Sequence, residues 1–160
     1  MPATWLRGKA AVRPNTAYGM AQLQPFETFE HTADIGLVAR GRTPEEMFKH
    51  AAMGLVDLIV DPAGLGEGTR LEVSLSAQDR EALLIAWLNE LLYLLDARGF
   101  LPRSCRVTRL SDTELAAELL GDTVDRTRHT LRRLVKAATY HRLRIARIDG
   151  TWEARVILDL

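Results

Sequence analysis

Residues 77 to 98 read as one helix whose apolar positions cover more than half of its circumference, and no other segment limits the possible folds as strongly. Leu83, Leu84, Trp87, Leu88, Leu91, Leu92 and Leu95 make the stripe, and Ile85 and Leu94 widen it. A helix with so little polar surface has to be enclosed by other elements, so it belongs at the centre of the core. Its Trp and Leu residues could instead face a partner, but the width of the stripe favours burial. Ser76 is the candidate cap, and Gly99 the terminator, since glycine readily takes the left-handed conformation that ends helices.

The segments available to enclose this helix are mostly strands. Phe26 and Phe29 precede the polar stretch EHTADIG at 30 to 36, and an alternating run from 35 to 40 follows it, so two short strands flank a polar kink. Thr43, Pro44, Glu45 and Glu46 then combine a Thr cap, a Pro at the first helical position and a Glu three residues after the cap. Phe48, Ala51, Ala52, Leu55 and Ile59 follow at helical spacing and should be buried. Residues 61 to 68, DPAGLGEG, form a loop by their Pro and glycines. They are not a phosphate-binding loop, because no Lys-Ser or Lys-Thr pair follows and the next segment reads as a strand. In that strand Leu71, Val73 and Leu75 alternate with Arg70, Glu72 and Ser74, the pattern of a half-buried sheet position.

Beyond the long helix, the runs 101 to 110 and 114 to 120 suggest an antiparallel hairpin turning at Ser111 and Asp112. Residues 121 to 130 form a polar, Arg-rich connection of the kind a partner could order. Runs 139 to 148 and 151 to 159 are joined by Asp149-Gly150, a pair suited to a type I′ turn. The order β-β-α-β-α-β-β-β-β therefore predicts an α+β fold, a single domain with helices packed on a largely antiparallel or mixed sheet.

A chain of 160 residues with 47% hydrophobic and 26% charged residues fits one core, which at this length buries about 68–70% of the unfolded surface. No apolar run approaches the roughly 20 residues of a membrane span, so no membrane association is expected. The 21 basic and 21 acidic residues balance, and the whole chain gives no argument for a polyanionic partner. The distribution is less even, with eight Arg or Lys and two acids between residues 122 and 147. Cys105 is the only cysteine, and its alternating apolar surroundings suggest a small buried hydrophobe in a reducing, cytoplasmic protein. Residues 1–24 are expected to be a leader, disordered, organelle-directed or a start-site artefact. They lack the apolar core of a secretory signal, and Met20 could begin a shorter chain.

Chemistry is sought first at 30 to 36, where His31, Thr32 and Asp34 crowd a break between strands. Thr32 and Asp34 could simply shape the turn. At the other end of the chain, Asp159 and the carboxylate of Leu160 put two anions on consecutive residues. If the last strand lies beside the kink, Asp34 adds a third hard oxygen donor, a set suited to Ca²⁺, Mg²⁺ or Mn²⁺. Zinc is disfavoured by the single Cys and the separated His residues. In the run 134 to 145, Lys136 could be the counter-charge to this acidic cluster, with Tyr140 and His141 nearby. Arg126, Arg128, His129, Arg132 and Arg133 could contact phosphates or remain solvated.

FEHTADIG at 29 to 36, the capped helix after it, LLIAWLNELLYLLD at 83 to 96, VKAATYH at 135 to 141 and WEARVILDL at 152 to 160 together resemble the archease family over residues 25 to 160. The resemblance implies a non-enzymatic accessory protein of an RtcB-type RNA ligase in tRNA splicing or RNA repair. Such a protein promotes GTP-dependent guanylylation and multiple turnover of the ligase. It also implies a metal site at Asp34, Asp159 and Leu160 and a functional role for Lys136, with His31 and His141 as further candidates. This chain departs from the family pattern at Gly121-Asp122, where Gly-Glu is expected, in its Arg-rich connection, and in residues 1 to 24. Two other classes compete. One is a metal-dependent phosphohydrolase, which has too few converging acids and no obvious nucleophile. The other is an RNA-binding chaperone acting through residues 126–147, which salt-dependent RNA binding would reveal.

Overall fold

The computed structural model describes residues 23–31 and 34–160. The expected leader therefore falls almost wholly outside the described residues, as does Thr32. The element order follows the sequence pattern: β1 (Phe26–His31), β2 (Asp34–Gly41), α1 (Pro44–Ile59), β3 (Thr69–Ser76), α2 (Arg80–Arg98), β4 (Phe100–Leu110), β5 (Glu114–Thr123), β6 (Ala137–Ile148) and β7 (Thr151–Asp159). A short 3-10 turn at Pro62–Gly64 interrupts the Gly-rich loop.

The strands form two antiparallel sheets, one of four strands in the order β1-β2-β7-β6 and one of three in the order β3-β5-β4. Both helices touch both sheets: α1 packs on β2 and β4, and α2 packs on β6, β4 and β3. The α+β class is as expected, and one large cluster of buried residues forms the main core. The single sheet of the simplest sequence reading is replaced by two, because which strands pair depends on long-range registers that no local pattern encodes. Among the described residues no helix is long and apolar enough to cross a membrane.

Helix α1 begins as its sequence dictates. The Glu46 amide donates to Thr43 Oγ1 at 3.1 Å, and the Glu46 carboxylate turns back to accept from the Arg42 amide at 3.1 Å. Phe48, Ala51, Ala52, Leu55 and Ile59 are all buried. Helix α2 starts later than its composition suggests. Ser76 ends β3 opposite Glu114, and Asp79 caps the helix by accepting from the Ala82 amide at 2.7 Å. At the other end Gly99, with φ of 65°, donates its amide to Leu95 O at 2.8 Å. Trp87, Leu83, Leu84, Leu88 and Leu91 are fully buried between the sheets, as the wide stripe requires. The β6–β7 turn has positive φ at both Asp149 and Gly150, the type I′ geometry.

Cys105 is buried on β4, and burial pushes its thiol up to about 12. The thiolate is the nucleophile, so alkylation by iodoacetamide at pH 8 should be about a thousandfold slower in the folded protein than in the urea-unfolded chain. The shift is upward, so its contribution to stability is complete below the ordinary thiol range. That contribution is lost as the pH climbs from about 9 towards about 12. Equal alkylation rates in the two states would show that β4 does not shield the sulfur.

Candidate functional site

The four-stranded sheet lines up residues from both ends of the described chain. His31 pairs with Asp34 across β1 and β2, Asp34 with Asp159 across β2 and β7, and Asp159 with Ala137 across β7 and β6. One transverse row thus contains His31, Asp34, Asp159 and Ala137. Directly opposed residues on neighbouring antiparallel strands have Cβ atoms about 4.5–5.5 Å apart, which brings the two aspartates together on one face. Asp34 is half-buried and Asp159 exposed.

The next row on the same face, two residues along, contains Phe29, Gly36, Ile157 and Thr139. Phe29, Val38 and Ile157 form a small buried cluster of their own, capped by the Arg155 guanidinium 5.3 Å from the Phe29 ring centre. A side chain at Gly36 has no room, since its Cβ would lie 2.1 Å from Phe29 Cζ. The aspartates therefore sit beside a packed apolar platform. Leu160 packs partly buried against the main core, which seats the residue after Asp159.

Strand β6 is held to this corner from two sides. On the β7 side, the Lys136 amide donates to Asp159 O at 2.8 Å and Thr139 Oγ1 donates to Ile157 O at 3.0 Å. On the helix side, Asn89 of α2 accepts from the Ala138 amide at 2.9 Å and donates to Ala138 O at 3.3 Å. Its carboxamide thus imitates a neighbouring strand. Sequence reasoning passed over Asn89 as part of an apolar helix. The available signal was its type, because Asn is a poor helix-interior residue unless its amide is used.

Lys136 is exposed one residue before the row begins. His141 is not in the row: it is exposed within a bulge of β6, where Tyr140 to Leu143 stand between the pairs Thr139–Ile157 and Arg144–Arg155. Arg142 in this bulge has φ of 54°. The strand-like run expected over 139 to 148 thus lies within β6, with the bulge shifting its register against β7.

The 121–130 connection also differs from expectation, because it folds on its own hydrogen bonds. The Thr127 hydroxyl and amide both donate to Asp125 Oδ1, at 2.7 and 2.9 Å, and with Arg128 they hold the Asp125 carboxyl down at about 2. The Asp125 amide donates to Nδ1 of buried His129 at 2.7 Å, which leaves the ring proton on Nε2, 3.6 Å from Asp122 Oδ2. Asp122 Oδ2 also accepts from the Gly66 amide at 3.0 Å, the main reason its carboxyl lies below the usual range. These contacts tie the connection to the Gly-rich loop.

Among the described residues, no three His, Cys, Asp or Glu side chains gather at one place that could hold a metal. The side-chain carboxylates opposed in the row are those of Asp34 and Asp159. Hard carboxylate oxygens of this kind suit Mg²⁺, Ca²⁺ or Mn²⁺ in preference to zinc.

The chain is 40% identical over 143 residues to the protein archease of Thermococcus gammatolerans, a match that covers 86% of this chain and all of the relative. It is 33% identical over 144 residues to that of Methanosarcina barkeri, covering 88% of this chain and 99% of the relative. The solution structure of Methanobacterium thermoautotrophicum protein 1598 superposes with a TM-score of 0.72 at 33% identity, over 86% of this chain and 100% of that one. An archease of Thermotoga maritima, described as a possible chaperone, shares the fold with a TM-score of 0.59 at 20% identity, over 87% of this chain and 98% of that one. The model of the Archease protein family matches residues 26–160, from the first strand through the row of aspartates to the last residue, and the chain belongs to that family.

Proposed function

We propose that this protein is a non-enzymatic activator of an RtcB-type RNA ligase, acting from the corner where Asp34, Asp159 and the Leu160 carboxylate would hold a divalent cation. The observation that carries this reading is the register of β2 against β7, which sets Asp34 opposite Asp159. Like charges directly opposite one another on neighbouring strands repel, and a shared cation turns that repulsion into attraction. A bound Ca²⁺, Mg²⁺ or Mn²⁺ would supply concentrated positive charge for phosphate or carboxylate oxygens of the ligase and its nucleotide. The protein's own residues do the positioning. Phe29 and Gly36 fix the platform beside the aspartates, Asn89 and the Lys136 amide hold β6 against them, and Lys136 presents an ammonium beside the corner. His31 lies in the same row, and His141, in the bulge outside the row, is the further ligase-facing group. The setting is the cytoplasmic processing of tRNA or other RNA ends.

The test is multiple-turnover ligation by the partner ligase with Asp34→Asn and Asp159→Asn variants, and with a chain extended past Leu160. Thermal unfolding should be little changed, while stimulation of the ligase should fall by about tenfold or more, the scale of losing one metal-site interaction. Calorimetric titration with Ca²⁺ or Mn²⁺ should lose its signal in the same variants. A folded Asp159→Asn variant that stimulates the ligase normally would reject the site.

A further inference from the structure

A groove of about 440 Å³ opens between the end of α2, the 124–126 turn and the 131–134 segment. Its volume is within the range of about 300–1,000 Å³ typical of ligand sites. The floor is apolar, formed by Ile59, Leu95 and Val124. Its outer wall is Leu131 and Leu134, which are 41% and 74% exposed. Large apolar side chains displayed side by side at this level mark contact surfaces more often than accidents of packing.

The rim is basic. Arg132 is already engaged by the Asp57 carboxylate at 3.0 Å and by Asp57 O at 2.9 Å. Arg126 and Arg133 are exposed, and among the described residues neither guanidinium has a hydrogen-bonding or ion-pairing partner. Asp96 is the one acid among the lining residues. The groove therefore combines an apolar slot with two uncommitted cations at its lip. We infer that it is a docking site for a protein segment in which leucine-like anchors are flanked by aspartate or glutamate. RNA fits less well, because the lining has no aromatic side chain on which a base could stack. The wall residue Leu134 is two positions before Lys136, whose amide is bonded to Asp159 O. The groove itself does not depend on any metal at the carboxylate corner.

The experiment uses the full chain and a short fluorescein-labelled peptide alternating Leu or Ile with Asp or Glu. Its Lys-substituted counterpart and an oligouridylate serve as competing probes, and binding is read by fluorescence anisotropy. The acidic peptide should bind, and Leu134→Asp should weaken it roughly tenfold, as loss of an interface anchor does. Arg126→Glu with Arg133→Glu should weaken it by about tenfold or more and gain binding of the Lys peptide instead. All three side chains are exposed, so thermal unfolding should be unchanged. The inference is overturned by equal binding of the acidic peptide to the unaltered and substituted chains, or by no binding at all. Preference for the oligouridylate would make the rim an RNA surface, and a concentration-dependent dimer lost in Leu134→Asp would make the groove a self-contact. Either result also overturns the proposal. None of these outcomes depends on Asp34 or Asp159, so failure here leaves the ligase-activation reading to its own assay.

Discussion

Replacing Trp87 by alanine is expected to destabilise the protein by about 3–5 kcal/mol, the range for removing a fully buried aromatic side chain. Trp87 has no exposed surface and donates its indole N–H to Phe48 O at 2.9 Å, so it joins the two helices both by packing and by a hydrogen bond. Against a total of about 5–15 kcal/mol for an ordinary domain, this is enough to leave much of the population unfolded at growth temperature. Urea denaturation followed by far-ultraviolet circular dichroism should show a large drop in midpoint. Trp87→Phe keeps a ring but loses the N–H and should fall between the two. An unchanged midpoint for the alanine variant would mean that α2 is not the centre of the core.

Gly121→Ala should act almost as strongly through a different cause. A Cβ at Gly121 would lie 2.1 Å from Leu101 O and 2.7 Å from Pro102 Cα. Both obstacles are backbone of the neighbouring strand, so relief requires β4 and β5 to separate where Pro102 pairs with Gly121. Overpacking of this sort costs typically about 1–3 kcal/mol, and the upper end is expected where no side chain can yield. For a domain of this size, a loss near 3 kcal/mol lowers the thermal midpoint by about 6–12 °C. The next residue, Asp122, holds the Gly66 amide, so amide exchange in the Gly-rich loop should accelerate in the same variant. An alanine variant melting at the parental temperature would refute the close approach of the two strands.

Local signals were the legible part of this sequence. The Thr43-Pro44 start, the Gly99 stop and the Asp149-Gly150 turn each depend on a few neighbouring residues, and each forms as those residues dictate. The first cap of α2 was not legible because Ser76 and Asp79 are both good capping types. The choice is made by the strand: the Ala77 amide donates to Thr113 O at 2.9 Å, drawing residues 76 and 77 into the β5 side of the hairpin. Division into two sheets was hidden for the same reason. The 121–130 connection was misjudged because its arginines suggested an external partner, whereas the Asp125 to Thr127 spacing is that of a self-bonding turn. As for the candidate site, Asp34 and Asp159 could be named from their residue type and the family resemblance, and the register sets them opposite each other. Asn89 carried only the signal of its residue type, and the bulge that holds His141 became visible only with the edge strand in place.

One of the two outer strands of the four-stranded sheet, β6, would ordinarily be a template on which a foreign chain could zip up through main-chain bonds. Asn89 occupies both main-chain groups of Ala138, and the bulge of residues 140 to 143 breaks the ladder immediately afterwards. Strand addition is thus obstructed where β6 begins, next to Asp159. A macromolecule meeting the β6 side of this corner has to be gripped by side chains, which leaves recognition there open to adjustment by single substitutions.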